Sequence, residues 1–217
     1  MKLYQSIGPN PRVVLFFLAE KGIALDREFV DIRAGDNRKP DWLARNPRGS
    51  MPVLELDDGG LLSESTAICE YLEEMHPDQP LIGATAAARA ATRSAIRYVD
   101  YNVICPMANG FRSAEGLPMF QDRMLCVPEA ASGNKAYAQE GLQKVDRILA
   151  GQACLAGSAF TLADIVLFCW IEFGGTVGQS APETLENLHA WRACVARRPA
   201  AVASADPNIG VASLTTR

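Results

Sequence analysis

The pattern of this chain changes near residue 80, and that change limits its possible folds more than any other feature. Short strand patterns alternate with helix patterns before Pro80, whereas only helix patterns follow it. Strands that alternate with helices favour one mixed sheet, and a run of helices favours a separate bundle. We therefore expect a first domain over residues 1–80, a second over 86–217 and a linker at 77–85.

The first domain is predicted to have the order βαβαββα. The segment Pro11 to Lys21 is typical of a helix, with Asn10 able to cap its start and Gly22 just past its end. Turn residues from Asp57 to Gly60 predict a hairpin. We expect strands at 3–5, 28–32, 53–56 and 61–62, and helices at 11–21, 40–45 and from 65 onward.

The second domain is predicted to be all-α. Its helix patterns lie at 86–105, 135–149, 163–173 and 188–197. The third of these is apolar almost all round, which indicates a central buried helix. The region Met107 to Gly133 is rich in Pro, Gly and Met and is the least regular part of this domain.

Composition and residue spacing exclude several classes of protein. A formal charge of -4 does not suggest the excess of positive charge that is typical of nucleic-acid-binding proteins. The apolar run Val13 to Ala19 is too short for a membrane span or a signal peptide. The 6 cysteines are scattered without a C-x-x-C pair, which favours a reduced cytoplasmic interior. The 2 histidines lie far apart, so we expect no metal site.

A proline-rich turn from Gly8 to Arg12 leads directly into the first helix. Unpaired N–H groups and the positive dipole end at a helix start favour an anion, and a thiolate is one such anion. A hydroxyl or amide donor in this turn would lower the pKa of a bound thiol. The fraction of nucleophile at neutral pH would then rise.

Two further patterns could bind a peptide. Pro52 cannot donate to a ladder, so it belongs at a sheet edge or a special bend and leaves neighbouring backbone free to pair. The string Ser63 to Thr66 either caps a helix or holds an α-carboxylate, with Glu64 meeting an amino group. A peptide with a carboxylate, an α-amino group and a thiol would engage all three patterns, and glutathione is that molecule.

Longer motifs at these positions resemble the cytosolic glutathione transferase family. In the first domain they are Leu3-Tyr4 before the proline-rich turn, N-P-x-G-x-M-P-V-L at 46–54 and E-S-T-A-I-x-E-Y-L at 64–72. In the second they are L-A-G at 155–157, F-T-L-A-D-I at 160–165 and L-H-A-W at 188–191, followed by Arg198-Pro199. The resemblance implies a thioredoxin-like first domain, and a capping box formed by Thr161 and Asp164.

The resemblance also implies a set of ligand-binding residues. Glutathione would be bound by Asn10, Ser50, Met51, Pro52, Val53, Glu64 and Ser65. Pro52 would be cis, and Val53 would pair its backbone with the cysteinyl part of the ligand. Glu64 and Ser65 would hold the γ-glutamyl end. Family members often carry a longer side chain at the position of Ser50, where it reaches the glycyl carboxylate of glutathione. In this chain Arg48, Arg33 or a residue of a partner subunit could bind that carboxylate instead.

The catalytic donor is left open between Ser6 and Asn10. Alignment on the proline-rich turn puts Gly8 near the position where Ser- and Thr-type members have their hydroxyl. Ser6 lies just before it and could supply a hydroxyl, whereas Asn10 could donate an amide. Tyr4 is a further alternative, although its strand position suggests the core. No cysteine occurs in this turn, which disfavours the Cys-type mechanism.

These expectations combine into one hypothesis, a homodimeric glutathione transferase of bacterial type with a Ser/Asn-type site. It would use glutathione as co-substrate, without a metal, and conjugate its thiolate to a small hydrophobic electrophile bound on the helical domain. One alternative is glutathione-dependent reduction of a disulfide or hydroperoxide. Another is a non-catalytic glutathione-binding protein that kept the fold. The row Arg89, Arg93 and Arg97 is either a solvated helix face or a dimer interface.

Overall fold

The computed structural model describes residues 1–205, and contacts divide the chain into two compact units. Among the described residues, the first unit contains Met1–Pro80 and the segment 197–205, and the second contains Leu81–Ala196. The sequence assigned that last segment to the helical domain. Its contacts with the first unit join residues far apart in the chain, which no local pattern shows: Arg198 donates to the two carboxylate oxygens of Glu20 at 2.6 and 2.8 Å.

The first unit is built on a four-stranded sheet of order β2-β1-β3-β4. Its strands are β1 (Lys2–Gln5), β2 (Asp26–Phe29), β3 (Val53–Glu55) and β4 (Leu61–Ser63). β1 and β2 are parallel, whereas β3 runs antiparallel to both of its neighbours. The predicted α/β domain and its hairpin between β3 and β4 are therefore confirmed.

The helices of residues 1–205 follow in chain order. They are α1 (Pro9–Lys21), α2 (Pro40–Arg45), α3 (Ser65–Met75), α4 (Ala86–Val99), α5 (Cys105–Arg112), α6 (Leu117–Phe120), α7 (Ala131–Leu149), α8 (Leu162–Thr176), α9 (Glu186–Ala196) and α10 (Pro199–Ala203). None of them combines the length and the apolarity needed to cross a bilayer. The prediction of an all-α second domain is confirmed for the described residues.

Helix α1 positions the start of the candidate site. It begins at Pro9, because the first positions of a helix need no N–H, and Gly8 is the N-cap with φ 117. The prediction that Asn10 caps this helix is therefore wrong, since Asn10 lies inside the first turn. At the other end Gly22 adopts the left-handed conformation with φ 64, and its N–H donates to carbonyls of the last turn.

A π-helical turn interrupts the long helical region that begins the second unit, just before a proline. The sequence predicts a helix that continues to Cys105, but a π-helical turn, Asp100–Ile104, separates α4 from α5. Pro106 has no N–H for the carbonyl of Asn102, so the regular hydrogen-bond pattern cannot continue there. Helix α7 passes this carbonyl closely, because a Cβ placed on Gly141 would lie 1.9 Å from it.

Helix α8 is the central helix of the second unit. Eleven of its 15 residues are buried, so the predicted central position is confirmed. Thr161 and Asp164 form the expected capping box at its start, with the side chain of Thr161 accepting from the N–H of Ala163. This arrangement satisfies donors that the helix itself leaves without partners.

Candidate functional site

The first part of the candidate site is the N-terminal turn of α1. Pro9 and Pro11 have no N–H, and the N–H of Arg12 donates to the carbonyl of Gly8 at 3.3 Å. Asn10 is therefore the residue of the segment 9–11 that has a backbone N–H, and its side-chain amide adds a second kind of donor. The structure thus places one of the two predicted catalytic residues at the positive end of this helix.

The other predicted catalytic residue lies just before this turn. Ser6 is 1% exposed, and its hydroxyl donates to the carbonyl of Val30 at 2.6 Å. A hydroxyl has a single proton to donate. This hydrogen bond connects the residue after β1, Ser6, to the residue after β2, Val30.

Tyr4 lies in the core of the first unit, as its strand position suggested. It is 6% exposed, and its ring packs edge-on against Trp42 with 4.9 Å between ring centroids. Its hydroxyl donates to Glu55 Oε2 at 2.6 Å, and this hydrogen bond lowers the pKa of Glu55. The hydroxyl of Tyr4 is therefore hydrogen-bonded to Glu55, and its ring packs on the side of the sheet where Trp42 of α2 lies.

The second part of the site is the loop that ends at the cis Met51–Pro52 bond. Two side-chain amides hold this loop from opposite sides of its turn. Asn37 Nδ2 donates to the carbonyl of Gly49 at 2.6 Å, and Asn46 Nδ2 donates to the carbonyl of Ser50 at 2.9 Å. Sequence reasoning missed both roles, because an asparagine beside a proline or a turn residue is first interpreted as a turn former.

The sequence placed Pro52 either at a sheet edge or at a special bend, and the structure shows it at a bend before β3. Strand β3 lies between β1 and β4, so it is not a sheet edge. Val53 is in register with Tyr4 on one side and with Ser63 on the other. Met51 precedes the strand and lies outside this register. Its backbone N–H and carbonyl therefore offer a short extended peptide the kind of pairing that a strand edge gives.

The third part of the site is the start of α3. Glu64 is its N-cap with φ 74, and no side chain of the described residues caps this helix start. A positive φ at a residue other than glycine costs about 1–3 kcal/mol, and such strained residues cluster at active sites and ligand-binding sites. The carboxylate of Glu64 accepts from Arg48 Nη1 at 3.0 Å. Ser65 follows as the first residue of α3, where N–H groups and a hydroxyl can meet a carboxylate.

Arg38 is the residue of this region that sequence reasoning missed. Its Nη1 atom would lie 3.1 Å from a Cβ placed on Gly49, and its buried Nε atom has no hydrogen-bond partner among residues 1–205. The buried Oγ atom of Ser50 also lacks a partner among these residues. Arg48, which was considered instead, is paired with Glu64. No local pattern marks Arg38, because only the folded loop brings it to Gly49.

Metal-ligating side chains do not gather in the part of the chain that is described. In residues 1–205 there is no group of three or more His, Cys, Asp or Glu side chains that could hold a metal ion. The three parts of the site instead offer hydrogen-bond donors, one exposed carboxylate and the start of two helices. Those groups suit an extended peptide that carries both charged ends and a thiol.

Comparison with known proteins gives matches along most of the chain. The family model described as glutathione S-transferase, N-terminal domain, matches residues 7–75, and the corresponding C-terminal domain model matches residues 118–199. Glutathione S-transferase 2 of Saccharomyces cerevisiae is 32% identical over 199 residues, which cover 88% of this chain and 83% of that protein. Glutathione S-transferase GstA of Escherichia coli O157:H7 is 32% identical over 206 residues, covering 92% and 94%.

Solved structures agree with these relatives. A crystal structure of a glutathione S-transferase domain-containing protein of Marinobacter aquaeolei VT8 has a TM-score of 0.86 at 34% sequence identity and covers 92% of this chain and 99% of that one. The N-terminal family model spans all three parts of the site, from the turn before α1 to the end of α3. Because both domain models match and the similarity runs over most of the length of these relatives, the chain belongs to the glutathione S-transferase family.

Proposed function

We propose that this protein is a glutathione transferase of Ser/Asn type that stabilises the thiolate of glutathione at the start of α1. The observation that carries the proposal is the position of Asn10 between two prolines in the first turn of a 13-residue helix. A thiolate at this point would gain the N–H and the side-chain amide of Asn10 together with the positive helix end. Ser6 is the alternative donor, and it would have to exchange its bond to Val30.

The bound peptide would extend over the three parts of the site. Glu64 would accept from the α-amino group of the γ-glutamyl end, while Ser65 and the first N–H groups of α3 would donate to its carboxylate. The resemblance implies that Val53 pairs with the cysteinyl backbone. Because Val53 already lies between Tyr4 and Ser63 in the sheet, we propose that Met51, on the other side of Pro52, makes this pairing instead. At the glycyl end, Ser50 and Arg38 would donate to the second carboxylate.

The chemistry of this arrangement is nucleophilic attack by the sulfur of glutathione. The sulfur electron pair forms a C–S bond with an electrophilic carbon, and the leaving group departs with its bonding pair. The protein contributes by lowering the pKa of the thiol and by holding the peptide in one orientation. The second substrate in this proposal is a small hydrophobic electrophile bound on the helical unit. Conjugation of glutathione to 1-chloro-2,4-dinitrobenzene, followed by absorbance, tests this activity.

We also infer a homodimer that works in the cytoplasm. The exposed basic row on α4, Arg89, Arg93 and Arg97, could face the acidic outer side of α3, which carries Glu70 and Glu74, in a second copy. A two-fold interface would repeat that contact twice. Within residues 1–205 none of the six cysteines forms a disulfide, which is the state that a reducing compartment maintains. Sedimentation equilibrium measures the oligomeric state directly.

Arg38→Gln tests how the glycyl end is held. The change removes a charge-assisted donor, so we expect glutathione to bind about tenfold more weakly, the loss typical of one such hydrogen bond. The glycyl ethyl ester of glutathione lacks that carboxylate charge, and its affinity should change little. Calorimetric titration of both ligands gives the two dissociation constants.

Arg33→Gln is the matched control, since Arg33 is exposed in the same loop and was an alternative partner for this carboxylate. It should leave both affinities unchanged. If Arg38→Gln weakened both ligands equally, the residue would have a general structural role and the assignment to the glycyl carboxylate would be wrong.

A further inference from the structure

Arg112 is a half-buried guanidinium group in the second unit, and it has no ionic partner among the described residues 1–205. It is the last residue of α5, and burial lowers its pKa. Within residues 1–205 it makes neither a hydrogen bond nor an ion pair. Other arginines of this chain have carboxylate partners, as Arg192 has in Glu172 and Arg198 has in Glu20. A partly buried cation without an anion is unfavourable, so its environment calls for an explanation.

The groups that the structure places around Arg112 are aromatic rings and thiols. Its guanidinium carbon lies 5.7 Å from the ring centroid of Phe120, which meets Phe111 edge-on at 6.0 Å. The titratable groups that act on it are the thiols of Cys105 and Cys126. Burial, together with Asp100, raises the pKa of Cys105, so this thiol stays neutral at physiological pH. Among residues 1–205, the groups found to act on Arg112 are therefore an aromatic ring and two thiols, and none of them is a carboxylate.

Two carboxylates of the same part of the chain, Asp100 and Glu115, are already engaged. Asp100 accepts from Arg97 Nη1 at 3.3 Å and from the thiol of Cys105 at 3.7 Å. Glu115, in the segment after α5, forms an ion pair with Lys135. Each of these acidic groups has a basic partner other than Arg112. The anion that would balance Arg112 is therefore not provided by these neighbours.

The segment after α5 is fixed at its base, which keeps this environment in place. The N–H of Val127 donates to Ser113 Oγ at 3.1 Å. This hydrogen bond holds the two ends of the segment 113–127 together. The segment carries Phe120, whose ring lies at Arg112. Phe111, which contacts Phe120, also packs edge-on against Phe173, with 5.1 Å between their ring centroids. The aromatic surface beside the guanidinium group is thus backed by packed side chains.

We propose that Arg112 binds an acid group on the second substrate, which would be a flat aromatic electrophile that carries a carboxylate or sulfonate. This inference rests on the proposed transferase function and names the class of its acceptor. The guanidinium group would form a two-pronged hydrogen bond with the acid group, and the ring of the substrate would pack beside Phe120. A neutral electrophile of the same shape would lack that bond.

The test uses two acceptors with the same chlorodinitrophenyl ring, 4-chloro-3,5-dinitrobenzoate and its uncharged methyl ester, and compares each variant with the wild type on the same acceptor. With either one, the sulfur of glutathione displaces chloride from the ring carbon, and chloride leaves with the bonding pair. We expect the wild-type protein to bind the carboxylate about tenfold more tightly than the ester, as one charge-assisted pair would give. Arg112→Gln should remove that preference in both the dissociation constant and kcat/KM, while the ester changes little.

The control variant is Arg147→Gln, because Arg147 is an exposed arginine on α7 of the same unit. It should keep the preference for the carboxylate. Arg112→Lys retains the charge without the planar fork and should give an intermediate preference, which separates recognition from a folding defect. Equal binding of carboxylate and ester by the wild type, or a preference that survives in Arg112→Gln, would overturn the proposal.

Equilibrium dialysis of the two nitroaromatics without glutathione tests whether Arg112 binds the acid group, even if the protein has no transferase activity. Loss of all turnover with an intact, Arg112-dependent preference would reject the proposed function alone. Turnover with no preference for the acid would reject the role of Arg112 alone.

Discussion

Replacement of Asp164 by alanine should lower the free energy of unfolding by about 3–5 kcal/mol, the range for removing one partner from a buried charged network. Asp164 is fully buried and accepts four hydrogen bonds. The N–H groups of Leu155 and Thr161 donate at 2.9 Å each, Thr161 Oγ1 at 3.2 Å and Trp191 Nε1 at 2.9 Å. Alanine would leave these donors buried without an acceptor. Urea unfolding followed by far-ultraviolet circular dichroism measures the change.

Trp191→Phe is the matched variant for this prediction. It removes one donor and keeps most of the packing, so its cost should be smaller, about 1–2 kcal/mol for one hydrogen bond to a charged group. Burial raises the pKa of Asp164, and its four donors act against that rise. If Asp164→Ala cost no more than Trp191→Phe, the carboxylate would not be the centre of this network.

Asn10→Ala should lower kcat/KM for conjugation by about 100-fold, which corresponds to about 2.7 kcal/mol of lost transition-state stabilisation. The thiolate would lose the amide donor, while alanine keeps the backbone N–H and the helix. The Michaelis constant for glutathione should change little, because the carboxylates of the ligand are held elsewhere. Steady-state kinetics at saturating acceptor separates the two parameters.

Two variants make this prediction specific. Asn10→Asp keeps the shape but places a negative charge beside the thiolate, so it should be at least as damaging as Asn10→Ala. Ser6→Ala removes a hydroxyl that donates to Val30, and we expect a smaller loss of kcat/KM than for Asn10→Ala. A larger loss for Ser6→Ala would assign the thiolate donor to Ser6 instead.

Much of the fold follows from local sequence patterns. The turn residues from Asp57 to Gly60 predict the hairpin, because they allow the tight reversal between two short strands. The apolar segment 163–173 predicts a buried helix, and the Thr161 to Asp164 spacing predicts its capping box. In each case the information lies within a few neighbouring residues.

The features that the sequence did not predict depend on contacts between distant residues or on one missing group. Arg38 reaches Gly49 only after the intervening chain folds, and Arg198 meets Glu20 from the opposite end of the chain. The π-helical turn comes from the absence of one N–H at Pro106, which a helix pattern does not reveal. The candidate site was predicted in its three parts, whereas the side chains that hold its loop were not.

Stabilisation of the thiolate at the start of α1 is tested most directly by an ultraviolet difference titration of glutathione bound to the wild-type protein across pH. We expect binding to lower the thiol pKa by at least about one unit, or about 1.4 kcal/mol of thiolate stabilisation, and Asn10→Ala to remove most of this shift. Glutathione that binds with an unshifted thiol pKa would contradict this stabilisation.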